Sequence, residues 1–368
     1  MFISICVIAY NEEETINGIL GDIAAQDYPH KDMEVILVDG ASTDRTKELM
    51  EQFAEEHVGE FRRVALLDNP KRTLPSGWNV ALRAYEGEAV LKVDAHAKIP
   101  EDFVSKNVAE LEKGEYIVGG RRPNIIVNDT PFNQTLLLAE SSMFGSSIAP
   151  YRNNPGKKYV NSLFHAAYRR EVFDKVGFFN EDLARTEDNE IHYRMRKAGF
   201  KLAFCPEIIS WQYTRGSLIK MLKQKYANGF WIGLTTGVCP KCLSIYHFVP
   251  FVFVAAIILS AAGLTVFGGL KKCASAAGMA CAKVFGALKT LVSALTKLMW
   301  SLYAVLALVM SAVSVIKAGR KRNVTCAALP FLFLLLHLSY GIGTLVGLIK
   351  MPRWVKGIRE RNGRDKER

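Results

Sequence analysis

ISICVIAYNEEETINGILGDIAAQ, residues 3–26, is one strand-to-helix unit. Its first eight residues are an apolar run, and from Glu13 to about Gln26 the residues Ile16, Ile19, Leu20 and Ile23 recur at helical spacing on one face. The theme repeats down the chain. EVILVD (34–39) precedes a helical pattern from Thr43 to Glu56, with Ser42, Thr43 and Asp44 as N-cap candidates. VALLD (64–68) leads into a helix near residues 75–86, and AVLKVD (89–94) follows. Strands that are apolar throughout are buried on both faces, as in parallel sheets covered by helices. The pattern therefore predicts an α/β fold: a Rossmann-like, mixed but mostly parallel sheet with helices on both faces and right-handed crossovers. In such sheets ligands bind beyond the carboxyl ends of the strands. The polar residues collect there: Asn11 and Glu12, Asp39, Asp68 and Asn69, then Asp94 and His96. Spacing alone leaves open whether Asp94 and His96 hold a metal or merely finish a strand.

The chain has 368 residues, enough for one large domain plus an appendage. Its net charge of +11 and pI near 9.2 fit nucleic acid, anionic lipid or phosphorylated substrates. The stretch 350–368 carries eight Lys/Arg against three Asp/Glu beside an apolar segment, which favours a membrane surface. Basic motifs interleaved with aromatics are absent, so nucleic acid is not expected as a partner. Seven scattered cysteines indicate a reduced compartment. Cys239 and Cys242 have CxxC spacing but no second pair, so they read as unmetallated thiols. FISICVIAY lacks the basic flank of a signal peptide.

Residues 115–213 are less regular: YIVGGRR, a helix from about Pro131 to Met143, a loop at 150–158 rich in Asn, Pro and Gly, then FHAAYRREVFDKVGFF and TEDNEIHYRMRKAGF. In the last of these Thr186 is placed to cap a helix whose first turn holds Glu187 and Asp188. Residues 215–244 read as an amphipathic interfacial segment, with Leu218, Met221 and Leu222 opposed to Lys220, Lys223 and Lys225. Three apolar runs, Ile245 to Leu270, Leu298 to Ile316 and Val324 to Ile349, are long enough to span a bilayer. Lysine-dotted residues 271–297 read as interfacial or as a fourth helix. The division expected is residues 1–214, 215–244, a transmembrane region at 245–350, and a basic tail at 351–368. With residues 1–244 cytoplasmic, three or four spans each leave one basic segment on the wrong side, unless the last apolar segment is re-entrant.

Five pieces in order resemble family 2 glycosyltransferases of GT-A fold: VIAYNEEETI, VDGASTDRT, NPKRTLPSGWNVALRAYEGE, VDAHA and TEDNEIHYRMRKAGF. Ala9 stands where the family usually has Pro, and Asp94-Ala95-His96 where it has D-x-D. IPEDFV, NPKRTLPSGWN and HLSYGIGTLVGL resemble more narrowly the membrane-bound succinoglycan-type exopolysaccharide glucosyltransferases.

The resemblance implies an enzyme that moves a hexose with inversion from a nucleotide-sugar, a UDP-sugar, to a lipid-linked saccharide. A polyprenyl-phosphate sugar synthase and a non-catalytic nucleotide-binding scaffold are the alternatives. It implies Asp188 as general base with Glu187 in support. Asp94 and His96 become the ligands of Mn²⁺ or Mg²⁺, Mn²⁺ suiting the imidazole better. Asn11 and Glu12 would hold the nucleoside, Asp39 the base, Lys71 and Arg72 the phosphates, and Arg215 or Gln224 the acceptor or diphosphate. Processive synthases carry Q-x-x-R-W. Gln224 is followed here by KYANGFW, which favours single additions. The implied setting is the inner membrane, multi-pass, with the catalytic domain cytoplasmic among membrane lipids and other polysaccharide-assembly proteins.

Overall fold

The computed structural model describes residues 1–126, 128–145, 156, 158–214, 216–319 and 322–364. It divides into two compact units: Met1–Val127 with Ser147–Arg215 and Cys239–Leu243, and Asn128–Ser146 with Gly216–Val238 and Ser244–Arg368.

The first unit opens with the repeat read from the sequence: β1 (Ile3–Ala9), α1 (Ile16–Ala24), β2 (Met33–Asp39), α2 (Thr46–Glu56), β3 (Arg63–Asp68), α3 (Leu74–Ala84) and β4 (Ala89–Asp94). β5 (Ala97–Lys98), α4 (Phe103–Glu112), β6 (Ile117–Arg121) and β7 (Asn124–Ile125) follow. After α5 (Pro131–Ser141), which belongs to the second unit, come β8 (Lys158–Val160), β9 (Ala166–Arg169), α6 (Arg170–Val176), α7 (Glu187–Lys197), β10 (Leu202–Ile209) and β11 (Trp211–Tyr213). The main sheet has the order β3-β2-β1-β4-β9-β6-β10-β8. Its first four strands are parallel, as are β6 and β10, while β9 and β8 run antiparallel to their neighbours.

Alternation along each strand sends side chains to two cores. Ile3, Ile5 and Val7 join Val35, Leu37, Leu91 and Val93 under α1, α2 and α4. Cys6, Ile8, Ile36, Val38 and Val90 face α3, α6 and α7, represented by Trp78, Val172, Ile191 and Met195. That two-sided burial is why these strands carry almost no polar residues. Helix starts differ in detail from expectation. α2 begins at Thr46 and no side chain caps it at Arg45; Asp44 Oδ1 instead accepts the Thr46 N–H at 3.0 Å. Thr186 sits at the N-cap of α7 without a capping hydrogen bond.

The second unit contains α5, α8 (Leu218–Thr235), α9 (Val249–Ala276), α10 (Ala282–Ala318) and α11 (Leu329–Arg364). Among the described residues, three segments are long and apolar enough to cross a membrane: Ile245–Ala276, Ala282–Ala318 and Val324–Arg361. The lysine-dotted stretch forms no separate fourth helix: residues 271–276 end α9, and residues 282–297 continue into the second apolar run as α10, 37 residues or about 55 Å long. The last apolar segment, open to a re-entrant reading, forms α11 as one unbroken helix through Pro352.

α8 packs along α11 through two matched pairs of glycines four residues apart. A Cβ on Gly229 or Gly233 would strike the Tyr340 or Thr344 carbonyl, and one on Gly343 or Gly347 would strike the Tyr226 or Phe230 carbonyl. Small residues at this spacing let helix backbones approach. The amphipathic reading put Lys225 on the polar face. It is instead buried, with Nζ 2.9 Å from Glu140 Oε1 of α5.

Candidate functional site

Parallel pairing brings the strand ends into line: Ala9 lies opposite Asp39, Asp39 opposite Asp68, and Ile8 opposite Asp94. Beyond them the chain makes three left-handed turns at residues other than glycine, Asn11 (φ 54°), Ala41 (φ 57°) and Arg72 (φ 59°). Such a conformation costs about 1–2 kcal/mol for a residue with a Cβ. Cross-loop bonds hold the strain in place. Asn11 N–H donates to Ser42 Oγ at 3.0 Å, Asn11 Oδ1 accepts from Thr43 N–H at 2.8 Å, and Asn69 N–H donates to the Asp39 carbonyl at 2.7 Å. Asp39 is 1% exposed, and its two carboxylate oxygens accept from Ser42 N–H at 3.3 and 3.2 Å. Backbone strain over-determined in this way is the pattern found at functional sites.

Next to that surface lies a buried charge cluster. Lys92, on β4 and 4% exposed, donates to Asp188 Oδ1, and its ammonium stands 5.1 Å over Trp78 and 5.6 Å over Phe179. Burial alone would lower the Lys92 pKa, but the charges of Asp188, Glu187 and Asp94 hold it above the usual lysine value. Asp188 and Glu187 come from the first turn of α7, where the dipole and free N–H groups favour negative charge. Glu187 is the exception. Burial first, and the Asp188 charge second, push its pKa up to about 8. Its Oε2 is buried without a hydrogen-bond partner.

This has a stability consequence. Glu187 binds its proton more tightly folded than unfolded, so its contribution is full below the ordinary carboxyl range and is lost as pH rises toward about 8. Glu187→Gln is therefore expected to melt with the wild type near pH 5 and above it at pH 8.5. A wild-type melting temperature flat over that range would contradict the protonated assignment.

Asp94 ends β4. Burial acts to raise its pKa, but neighbouring His165, with the charges of His96 and Lys92, outweighs this and holds the carboxyl well below the usual range. His165 Nε2 lies 3.3 Å from Asp94 Oδ2, out of line for a hydrogen bond. The antiparallel entry of β9 puts it there, because Leu91 pairs with Ala167 and the residue preceding β9 falls beside the end of β4. His96 faces a different set: Nδ1 is 3.2 Å from Glu12 Oε1, and Gln212 Nε2 approaches its Nε2 at 2.9 Å. Its expected place as second ligand beside Asp94 thus meets two competing contacts. Among the described residues no three His, Cys, Asp or Glu side chains converge as a metal cluster.

Lys71, expected at a phosphate, pairs with Glu181 at 2.7 Å, while Arg72 is exposed in its turn. Gln224 is half-buried on α8 in the second unit, and Arg215 lies outside the described residues. Residue patterns did not single out Lys92, His165 or Gln212. An ionisable Lys92 inside an otherwise apolar strand was the one available signal.

Comparison with known proteins matches part of the first unit to a family. Residues 4–177 match Glycosyl transferase family 2. A dolichyl N-acetyl-α-D-glucosaminyl phosphate 3-β-D-2,3-diacetamido-2,3-dideoxy-β-D-glucuronosyltransferase of Methanococcus voltae is 27% identical over 243 residues, covering 63% of this chain and 73% of that protein. Succinoglycan biosynthesis protein ExoA of Rhizobium meliloti is 27% identical over 201 residues, covering 53% of this chain and 58% of its own length. The solved mannosyltransferase PcManGT of Pyrobaculum calidifontis, in complex with GDP-Man and Mn²⁺, matches with a TM-score of 0.55 at 20% identity over 94% of this chain and 87% of that one. That last likeness is one of fold, and the mixed, mostly parallel sheet is GT-A-like. Residues 4–177 of this chain are a glycosyl transferase family 2 domain.

Proposed function

We propose that the protein is an inverting glycosyltransferase that passes a hexose from a UDP-sugar to a lipid-linked saccharide in surface or extracellular polysaccharide synthesis. The observation that carries the reading is the Lys92–Asp188 pair: a buried ammonium pairs with one carboxylate and orients it beside the strand edge, while burial pushes the pKa of adjacent Glu187 up to about 8. Inversion needs one carboxylate to take the acceptor hydroxyl proton on the face opposite the leaving diphosphate. Asp188 is assigned that role and Glu187 the support of it.

Asn11, Glu12 and Asp39 are assigned to the nucleoside, their turn held by the Ser42 and Thr43 bonds. Lys71 and Arg72 are assigned to phosphate; Lys71 would leave Glu181 to reach it. Arg215 and Gln224 are assigned to the acceptor side. An ionised, mostly buried Asp94 suits a hard divalent ion that keeps phosphate and water as its other ligands. Bound there, Mn²⁺ or Mg²⁺ would offset the charge developing on the leaving diphosphate. Three apolar segments support a multi-pass inner-membrane protein with the first unit cytoplasmic. The glucuronosyltransferase relative, whose name gives a dolichyl-phosphate-linked sugar as its acceptor, supports a lipid-linked one here.

The test is incubation of the full chain in detergent with labelled UDP-hexoses, Mn²⁺ and a membrane lipid extract, followed by mass spectrometry of the lipid fraction. The expected product is a lipid-linked saccharide one sugar longer. A lipid monophosphate carrying a single sugar would reassign the acceptor, and no product with any donor would defeat the catalytic reading.

A further inference from the structure

We propose that His165 Nε2, and not His96, completes with Asp94 the protein side of the divalent-cation site. The inference deepens the reading above and rests on its expectation of a cation at Asp94.

Three observations carry it. His165 is 3% exposed, and its Nε2 is buried without a hydrogen-bond partner. A buried ring nitrogen that no protein group satisfies calls for a partner, and a bound cation would be one. Next, Nε2 stands 3.3 Å from Asp94 Oδ2 without hydrogen-bond alignment. Two ligands at right angles on an octahedral ion, each about 2.1 Å away, sit about 3 Å apart, so this spacing suits a shared metal. Finally, Nδ1 lies 2.8 Å from Ser210 Oγ, a residue anchored by its own N–H to the Arg121 carbonyl at 3.0 Å. With Nδ1–H donating to Ser210, the lone pair is left on Nε2, facing the carboxylate. This outer-shell bond is how ligating histidines have their tautomer and ring plane set.

His96 offers less. Its Nε2 is approached by the Gln212 amide and its Nδ1 by the Glu12 carboxylate, so a metal would have to displace one of them. Its place is better explained as a clasp, joining the Asn11–Glu12 turn to β11 after the strand. One carboxylate and one imidazole form a mixed hard and borderline set, which suits Mn²⁺ over Mg²⁺.

The experiment uses Mn²⁺ as probe on the full chain in detergent, alone and with UDP. Electron spin-echo modulation from a coupled imidazole ¹⁴N is expected in the wild type, retained in His96→Gln and absent in His165→Gln, with Mn²⁺ bound at least about tenfold more weakly in the latter. Coupling retained in His165→Gln, or lost in His96→Gln alone, would overturn the assignment while leaving a metal-dependent enzyme. No Mn²⁺ bound by the wild type with or without UDP would overturn the metal reading itself, and the assignment with it. Should His165→Gln fail to fold, Ser210→Ala keeps the ring but removes its brace; about tenfold weaker Mn²⁺ binding is then expected, and unchanged affinity overturns the proposal.

Discussion

Asp188→Asn is expected to leave the chain folded and to slow sugar transfer about 10²–10⁴-fold, the range associated with losing a positioned general base. The loss should fall on kcat, because Asp188 is assigned to the acceptor proton and not to the nucleotide; KM for the donor and Mn²⁺ affinity should move little. In the wild type Glu187 is buried with its pKa pushed up to about 8, so Asp188 and not Glu187 is the base expected at neutral pH. Neutralising Asp188 also removes the second of the three effects that raise Glu187, after burial and before the Asp94 charge, so any residual activity in the variant should rise at lower pH than expected from the wild type. Full transfer by a folded Asp188→Asn protein would end the assignment.

Lys92→Met is expected to cost about 3 kcal/mol or more, the scale for removing one partner of a buried ion pair. Lys92 is the buried cation facing Asp188, Glu187 and Asp94, so its loss leaves negative charge in a low-dielectric setting. The cost should shrink when Asp188→Asn is added, with a coupling of about 1 kcal/mol or more in a double-mutant cycle. Denaturation of the four proteins at pH 7 measures this. Strict additivity, or a Lys92→Met protein as stable as the wild type, would show that the ammonium does not compensate the acidic cluster.

Much of the first unit was legible because its local signals agree. Apart from Ser4, Glu34, Lys92 and the strand-end aspartates, β1, β2 and β4 are apolar on both faces, as helices covering both faces favour, so the repeat of residues 3–94 announced the parallel half of the sheet. The strand-end aspartates were legible for the same reason: a side chain at the carboxyl edge need not be apolar. The C-terminal helices announced themselves through length and apolarity. Their number followed only from α10 and α11 being continuous, since lysines at 283, 289 and 297 do not break a helix.

The partnerships were not legible. Asp94 and His96 are two residues apart and looked like a pair, yet the turn after β4 sends His96 toward Glu12 and Gln212. His165 is 71 residues further on and reaches Asp94 because β9 enters the sheet antiparallel beside β4, a pairing that no local periodicity encodes. Lys92 and Asp188 meet across 96 residues for a similar reason, α7 covering the face onto which Lys92 projects. By itself the sequence determined the strand-helix repeat, the acidic edge and the membrane-length helices, because each depends on neighbours in the chain and on the transfer of apolar groups from water. Only the tertiary structure decided which ionisable groups share a buried volume. That depends on strand order and direction, and burial then sets which carboxyl keeps its proton and which imidazole nitrogen is left facing a carboxylate.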